Sequence, residues 1–436
     1  MANEPDAITR LVRACDPGAA LSPDDPRYVN CDDVRGENLA QLFERSLRRA
    51  DPTQPQVKLF AGHRGVGKTS ELLRLKQLLE KNAFEVIYFD VMESLDPNDL
   101  DFPDLLTLAA AEVQKHIKAI KIPGFSATSS KLRTVYEAIK GCLPSDVALA
   151  GADIGPGFAK LVVEIKNRPN ARKKLRKAIE QQSTRLIDAV NDLLDTANAG
   201  LRKVGREGLV LITDGLDKVV RRPLGEDSNT HERLFIDRSE QLASLNAHTV
   251  YTVPISLYYS PFCAQLEQTV GEFNVPLPMI SIRGDDRSEP TPETPGMKKM
   301  YAMIEARCKF AKVKLDEMFD DHDTCHYLCK MSGGHPRHLM MLISAAASEV
   351  DREPITLDAA KKAVRNYANS LFREVEGDFW PKLRKFDQPQ DDIPKDNDHQ
   401  QMLLLLHIFE YMNKEPWYEV NPVLRTLRKF DEPEDD

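Results

Sequence analysis

The sequence has no apolar stretch long enough to cross a membrane and few cysteines for its length. A transmembrane helix needs about 20 consecutive apolar residues, and no run in the chain approaches this. The 7 cysteines are odd in number and widely scattered among 436 residues, which favours a reducing compartment over a disulfide framework. The first residues, Met-Ala-Asn-Glu-Pro-Asp, lack the basic and apolar regions of a signal peptide. We therefore expect a cytoplasmic protein that does not bind membranes.

The chain also has no excess of positive charge. With 59 Lys and Arg against 68 Asp and Glu, its net charge is −9, which argues against a surface built wholly for nucleic acid. A content of 42% hydrophobic and 29% charged residues is typical of a globular protein, and 436 residues suggest two or three domains. A local basic patch remains compatible with this balance.

One short segment carries the strongest functional signal. Residues 61–70 read Ala-Gly-His-Arg-Gly-Val-Gly-Lys-Thr-Ser and fit the phosphate-loop pattern G-x-x-x-x-G-K-[ST]. In this pattern backbone N–H groups surround the β-phosphate, the lysine reaches the β- and γ-phosphates, and the threonine hydroxyl binds Mg²⁺. A predicted strand, Gln56–Ala61, precedes the loop, and helical spacing follows over Ser70–Lys81. We expect ATP and Mg²⁺ as ligands, with nucleotide contacts from Gly62, His63, Arg64, Gly65, Val66, Gly67, Lys68, Thr69 and Ser70.

A metal-bound triphosphate also needs a carboxylate at the end of a buried strand. The run Gly-Leu-Val-Leu-Ile-Thr-Asp ends at Asp214, which we expect to bind Mg²⁺ together with Thr69. Asp217, in the turn Asp-Gly-Leu-Asp, is the candidate to orient or deprotonate the attacking water. The alternative is a strand that simply ends in an Asx turn, which many Asp-Gly pairs form.

Strands and helices alternate along the first 285 residues. Such alternation predicts a parallel sheet covered by helices on both faces, which is an α/β fold. Besides the two strands above, apolar runs predict strands at Glu85–Val91, Thr249–Tyr258 and Val275–Ile282.

An insertion of roughly residues 121–207 interrupts this alternation. It contains a possible strand, Lys160–Ile165, and a long amphipathic helix, Asn170–Val204. That helix needs a partner surface, either on its own domain, which is the commoner case, or on another subunit. The basic segment Lys166–Lys177 could contact nucleic-acid phosphates, although such runs more often form a solvated helix start.

The last third of the chain reads mainly as helix. Helical patterns run from Gly296 to about Phe379, and a polar linker, Phe386–Gln400, follows. A small unit then begins with a predicted helix, Met402–Met412, and continues through Trp417.

Together these motifs resemble AAA+-related P-loop ATPases. The phosphate loop, the turn at Asp214 and the later Gly333-Gly-His-Pro-Arg337 are similar to the STAND signalling ATPases and to the origin-recognition-type ATPases. The resemblance implies a three-layer, parallel-sheet P-loop NTPase domain of the ASCE/AAA+ type over residues 1–285. It further implies a helical lid domain over 286–385 and a C-terminal winged-helix-like unit over 400–430.

The resemblance also implies roles for single residues by their position. Pro336 would lie beside the adenine or ribose, and Arg337 matches a sensor arginine that contacts the γ-phosphate. Thr252 or Ser256, on the strand after the acidic turn, would be a polar sensor. Arg35 lies in Asp-Val-Arg-Gly-Glu, which is similar to a segment that closes over adenine, although the order here is Arg-Gly. The candidates for an arginine finger offered to a neighbouring subunit are Arg233 and Arg238.

One departure from the family bears on the reaction rate. Many AAA+ enzymes carry a glutamate directly after the metal-binding aspartate, and here Gly215 takes that place. The resemblance therefore implies a slow or partner-stimulated ATPase that works as a switch, with catalytic roles for Lys68, Asp214, Asp217 and Arg337. Relatives of this kind often serve in bacterial defence against phage, partnered with an effector, so we expect a homo-oligomer that acts with a separate effector protein. The alternative is a DNA-binding AAA+ ATPase, a loader or transposition-type regulator.

Overall fold

The chain groups into two compact units. The structure is a computed structural model and describes residues 5–51, 53–120, 130–141, 157–167, 169–225, 228–271 and 276–432. Residues 121–129, 142–156 and 168 of the predicted insertion lie outside these ranges. The first unit comprises Met1–Leu39, Gly62–Arg74 and Pro276–Asp436, and the second comprises Ala40–Ala61 and Leu75–Val275. The predicted domain bounds at residues 285 and 385 remain predictions.

Strands and helices alternate up to about residue 270, and helices dominate afterwards. None of the described helices combines the length and the apolar character needed to cross a bilayer. The strands are β1 (Val57–Phe60), β2 (Phe84–Asp90), β3 (Gly208–Asp214), β4 (His248–Thr252), β5 (Ile408–Asn413) and β6 (Glu415–Val420). The helices are α1 (Ala7–Ala14), α2 (Asp32–Arg35), α3 (Leu39–Arg49), α4 (Lys68–Lys81), α5 (Val91–Ser94), α6 (Phe102–Ala119), α7 (Ser130–Gly141), α8 (Gly157–Asn167), α9 (Pro169–Glu180), α10 (Ser183–Lys203), α11 (Thr230–Phe235), α12 (Ser239–Leu242), α13 (Cys263–Val270), α14 (Pro295–Ala311), α15 (Leu315–Met318), α16 (His322–Met331), α17 (Pro336–Ala347), α18 (Leu357–Phe372), α19 (Phe379–Arg384), α20 (Asn397–Leu404) and α21 (Arg428–Asp431).

The second unit is built on a parallel sheet with the strand order β1-β4-β3-β2. Strands β1, β3 and β4 are buried along their whole length, which is the pattern of a parallel sheet covered on both faces. Strand β4 separates β1, which leads into the phosphate loop, from β3, which ends at Asp214. This interposed strand is the arrangement of the predicted ASCE class of P-loop NTPases.

Helices cover both faces of this sheet. Alternate side chains of β1 point to opposite faces. On one face Phe60 packs edge-on against Phe43 of α3, with ring centroids 5.5 Å apart, and the Lys58 ammonium donates to Ser46 Oγ at 2.7 Å. On the other face Leu59 belongs to the apolar core that contains α6 and α10. The three-layer α/β P-loop NTPase fold is therefore confirmed.

The described part of the insertion packs as helices within the second unit. The predicted strand Lys160–Ile165 is wrong, because Phe158 and Val162 are buried at helical spacing in α8. The single helix predicted over Asn170–Val204 is two helices, α9 and α10, and the chain turns at Gln181–Gln182 so that both bury apolar residues in one core. Helix α10 packs on β3 and α6 of its own unit, which is the commoner of the two predicted cases.

Of the strand predicted over Val275–Ile282, residue 275 lies outside the described ranges, and residues 276–282 in the first unit form one bridge. Leu277 pairs in parallel with Gly62 of the phosphate loop. Its neighbours Pro276 and Pro278 have no N–H group, so they cannot extend a hydrogen-bonded ladder.

Near the end of the first unit, α20 is followed by an antiparallel hairpin of β5 and β6. The predicted helix Met402–Met412 is wrong beyond Leu404, where α20 ends and β5 soon begins. β-Branched and aromatic side chains favour a pleated strand, and Tyr411 stacks on Trp417 across the hairpin with ring centroids 4.2 Å apart. Cross-strand pairing thus overrides the helical spacing of the leucines.

Candidate functional site

The phosphate loop joins β1 to α4 through three glycines with left-handed backbone. Gly62, Gly65 and Gly67 have φ values of +146°, +94° and +108°, which strongly favour glycine. A Cβ atom on Gly65 would lie 2.7 Å from His335 Cε1, so this close approach also requires glycine. The Lys68 ammonium is buried and donates to two carbonyls of the loop, at 2.7 and 2.9 Å. The loop therefore presents a fixed cation at the start of a helix, as a phosphate site requires.

Arg35 lies directly against this loop. Its guanidinium donates to Val66 O at 2.7 Å and to Pro278 O at 3.0 Å. The ion pair between Asp32 and Arg74, at 2.7 Å, fixes α2 beside the start of α4 and so positions Arg35. Arg35 Nε is buried and has no hydrogen-bond partner among the described residues. A buried donor at the edge of the loop fits an acceptor on a nucleoside.

His63 connects the loop to the C-terminal hairpin. Its Nδ1–H donates to Leu403 O at 3.1 Å, while its Nε2 accepts from Glu410 N at 2.8 Å. This pair of bonds requires the neutral ring with its proton on Nδ1, because Nε2 must offer a lone pair. Burial and, to a lesser extent, the Lys68 charge lower the pKa of His63 to about 3. The imidazole therefore stays neutral at physiological pH.

A second imidazole joins the loop to α17. His335 Nε2–H donates to Arg64 O at 2.9 Å, and its Nδ1 accepts from His338 N at 3.1 Å, which caps α17. Burial, with the neighbouring His338, keeps the pKa of His335 well below its ordinary value. The start of α17 is thus bonded directly to the loop backbone.

The predicted sensor residues lie at this same helix start. Pro336 is the first residue of α17. Arg337 lies beside Gly65, because a Cβ atom there would be 3.0 Å from Arg337 Cβ, and its Nε donates to Pro17 O at 3.0 Å. Both residues therefore neighbour the phosphate loop within the first unit.

The predicted metal-binding aspartate lies in the second unit, at the end of β3. Asp214 is 1% exposed; its Oδ2 accepts from the Tyr88 hydroxyl at 2.9 Å and its Oδ1 from Gly215 N at 2.6 Å. Burial and the Asp214 charge raise the pKa of Tyr88, so its phenol remains a donor. Asp217 follows in a 3₁₀ turn and is 8% exposed. These two hydrogen bonds orient the carboxylate of Asp214 at the end of β3.

The missing glutamate after Asp214 has a structural reason. Gly215 has a φ of +86°, and a Cβ atom there would overlap Asp90 Oδ1 and lie 3.1 Å from Met92 Cγ. A glutamate at this position would have a strained left-handed backbone and would displace the Asp90 side chain.

The two predicted polar sensors have different environments. Thr252 ends β4, and its Oγ1 accepts from Leu216 N at 3.0 Å, so it supports the acidic turn. The prediction that Ser256 lies on this strand is wrong, because the strand ends before Pro254 and Ser256 belongs to the following 3₁₀ helix. There Ser256 Oγ lies 3.4 Å from His231 Nδ1.

Both arginine-finger candidates form ion pairs within the second unit. Arg233 pairs with Asp101, and Arg238 pairs with Glu180 at 2.7 Å. An arginine offered to a neighbouring subunit would have to leave these partners, and the role stays a prediction.

The basic segment on α8 and α9 divides into internal and exposed charges. Arg172 pairs with Asp99 at 2.7 Å, and the Arg176 guanidinium donates to the buried carboxylate of Asp104 at 2.9 Å. The lysines of this segment that are exposed are Lys166 on α8 and Lys173, Lys174 and Lys177 on α9.

Sequence reasoning missed Tyr88, Asp90 and the bonds of His63 to the C-terminal hairpin. For Asp90 a signal was available, since a carboxylate near the end of a predicted strand is what singled out Asp214. For Tyr88 and His63 no local pattern exists, because their partners lie far away in the sequence.

The sequence matches no protein-family model and no curated protein. Among solved structures, the chain is similar to the ORC2 protein of Aeropyrum pernix in its ADPNP–ADP complexes, with 12% identity, a TM-score of 0.45 and 96% of each chain covered. It is also similar to the ORC1 protein of the same organism in complex with DNA, with 12% identity, a TM-score of 0.42 and 95% of each chain covered. A Walker-type ATPase of Pyrococcus abyssi matches at 12% identity and a TM-score of 0.43, over 90% of this chain and 95% of that one. The fold assignment rests on the strand order and the loop geometry of this chain.

Proposed function

We propose that the protein binds Mg²⁺–ATP and works as a conformational switch with slow ATP hydrolysis. The observation that carries this proposal is the glycine loop around the buried Lys68 at the start of α4. Lys68 and the loop N–H groups would hold the phosphates, and Arg35 would contact the nucleoside. Thr69 and Asp214 would hold Mg²⁺, which neutralises charge on the β- and γ-phosphates.

The coupling in this switch would run through the two neutral imidazoles. His335 joins Arg64 O to the start of α17, and His63 joins the loop to α20 and β5. A γ-phosphate that changes the loop backbone would therefore change hydrogen bonds to the lid helix and to the hairpin. Arg337, beside Gly65, would respond to the same phosphate.

Slow turnover suits a switch better than a motor. Gly215 replaces the glutamate that would activate water, and Asp217 is the carboxylate left on that turn. We propose that ATP binding controls assembly of copies of this chain or the action of a separate effector protein. Anti-phage defence is a setting suggested by the family resemblance alone.

A second candidate function is DNA binding. It is favoured by the exposed Lys173, Lys174 and Lys177 on α9, since cations on a protein surface can contact nucleic-acid phosphates. Arg172 and Arg176 belong to internal ion pairs and would not take part.

Replacing Lys68 by alanine should weaken ATP binding about 10- to 100-fold, because charge-assisted hydrogen bonds contribute about 1.5–3 kcal/mol each. Titration with a fluorescent ATP analogue measures this. Lys81→Ala is the matched control, since Lys81 is exposed at the far end of the same helix. ATP binding that survives Lys68→Ala unchanged would refute the proposed nucleotide site.

His335→Ala should separate binding from the response of the lid. In the native protein we expect ATP, and ADP to a smaller extent, to slow hydrogen exchange in α17 and in β5–β6. In the variant ATP should still bind, while the change in α17 is abolished, because the bond to Arg64 O is gone. His322→Ala, at an exposed position on α16, should respond like the native protein. An unchanged response of α17 in His335→Ala would exclude this imidazole as the link.

Acidification should destabilise the first unit through its buried histidines. The pKa of His63 falls from about 6.5 in the unfolded chain to about 3 in the folded one. The contribution of the neutral His63 ring to the free energy of unfolding is therefore complete above pH 6.5 and is lost as the pH falls from there towards 3. The loss between pH 7 and pH 5 is about 2 kcal/mol. In His63→Phe, the free energy of unfolding should therefore fall by about 2 kcal/mol less between pH 7 and pH 5 than in the native protein. Urea unfolding followed by the 2 tryptophans, Trp380 and Trp417, reports on this unit; equal pH slopes for variant and native protein would contradict the assignment.

If the protein binds DNA, replacing Lys173, Lys174 and Lys177 by glutamine should weaken binding of every sequence alike. The slope of log affinity against log salt should fall by about 0.9 for each lysine–phosphate pair that the substitutions remove. Fluorescence anisotropy with a labelled duplex at several salt concentrations measures both. No binding by the native protein, or an unchanged slope in the variant, would exclude this surface.

A further inference from the structure

We propose that Asp90, at the end of β2, activates the attacking water in place of the glutamate that is absent after Asp214. This inference rests on the proposed ATPase function and adds a catalytic residue to it. Hydrolysis needs a carboxylate that accepts a hydrogen bond from water close to the metal-binding aspartate.

The sheet places Asp90 next to Asp214. The two residues are register partners at the ends of the neighbouring parallel strands β2 and β3. Adjacent strands lie about 4.8 Å apart, so both carboxylates emerge at the same edge of the sheet. Strand β2 contributes twice here, because its Tyr88 also donates to Asp214 Oδ2.

Asp90 fills the space in which a side chain on residue 215 would begin. A Cβ atom on Gly215 would overlap Asp90 Oδ1, and the left-handed φ of +86° also favours glycine there. The two positions are therefore complementary: a glycine after the metal-binding aspartate makes room for a carboxylate from the adjacent strand. The glutamate that usually follows the aspartate is missing, but the Asp90 carboxylate lies beside Gly215 instead.

The Asp90 carboxylate is held in one orientation and still accessible. Its Oδ1 accepts from Met92 N at 2.8 Å, and its Oδ2 pairs with Lys218 Nζ at 3.3 Å. The acidic turn supplies Lys218, so the turn and Asp90 support each other. The side chain of Asp90 is 21% exposed, which allows a water molecule to reach it.

The proposed step is the hydrolysis of ATP, in which Asp90 temporarily accepts the proton of the attacking water. Asp90 accepts a hydrogen bond, and then a proton, from water as the water oxygen forms a bond to the γ-phosphorus. The bond from the γ-phosphorus to the bridging oxygen breaks, and ADP leaves with that electron pair. Asp90 then returns its proton to solvent, which leaves ADP and phosphate.

A purely structural role for Asp90 is the alternative, because it caps α5. Asparagine caps a helix as well as aspartate does, so Asp90→Asn keeps the cap and removes the charge. Asp321→Asn is the matched control, since Asp321 caps α16 through Asp323 N at 3.1 Å, away from the proposed chemistry.

The test measures ATP turnover and ATP binding separately in the full chain. We expect Asp90→Asn to lower kcat at least about 100-fold, the lower end of the effect of a general base, with the ATP Kd within about threefold of native. Asp90→Glu should keep measurable turnover because it keeps the carboxylate, and Asp321→Asn should match the native protein.

Turnover in Asp90→Asn within about threefold of native overturns the inference. So does a native protein that binds ATP without any turnover, or a loss of turnover confined to Asp217→Asn. Failure of ATP to bind the native protein would instead refute the proposed function.

Discussion

The arrangement of the first unit depends on the hydrogen bond from Glu410 N to His63 Nε2. This bond forms only while Nε2 is unprotonated and offers its lone pair. A residue of the phosphate loop thereby joins α20 and the C-terminal hairpin. The ring is enclosed, with Phe409 edge-on at a centroid distance of 5.8 Å, and the nearby Lys68 ammonium opposes its protonation. Burial and the Lys68 charge keep the ring neutral, and the two hydrogen bonds fix the tautomer with its proton on Nδ1.

A comparable constraint acts at the carboxyl edge of the sheet in the second unit. The Asp214 side chain is 1% exposed, and the Tyr88 hydroxyl and Gly215 N supply the hydrogen bonds that a buried carboxylate needs. The backbone of Gly215, which donates to Asp214, is left-handed and disfavours a bulky residue at that position. The orientation of the Asp214 carboxylate and the absence of a following glutamate are thus consequences of the same turn.

The sequence predicts local structure well where the signal is local. The strand before the loop, helix α4 and strand β3 agree with their predicted bounds to within one or two residues, because the glycines, the lysine and the Asp-Gly turn specify their own backbone. Prediction fails where the secondary structure of a segment depends on a partner far away in the sequence. Ile408 to Met412 has leucine-rich helical neighbours, but pairing with β6 makes it a strand. The relation of Asp90 to Asp214 follows from strand order, which no short pattern encodes.

The contacts of the phosphate loop are compatible with the slow turnover of the proposed switch. The loop, Arg35, His335 and Arg337 belong to the first unit, together with α17 and the C-terminal hairpin. The carboxylates of Asp90, Asp214 and Asp217 belong to the second. In the proposed switch, a phosphate bound to the loop would act on the hydrogen bonds of His63 and His335 inside the first unit, whatever the state of the carboxylates. Hydrolysis can then be slow without weakening the response to binding, because differential contacts with the triphosphate, and not the rate of its cleavage, determine how far the conformational equilibrium shifts.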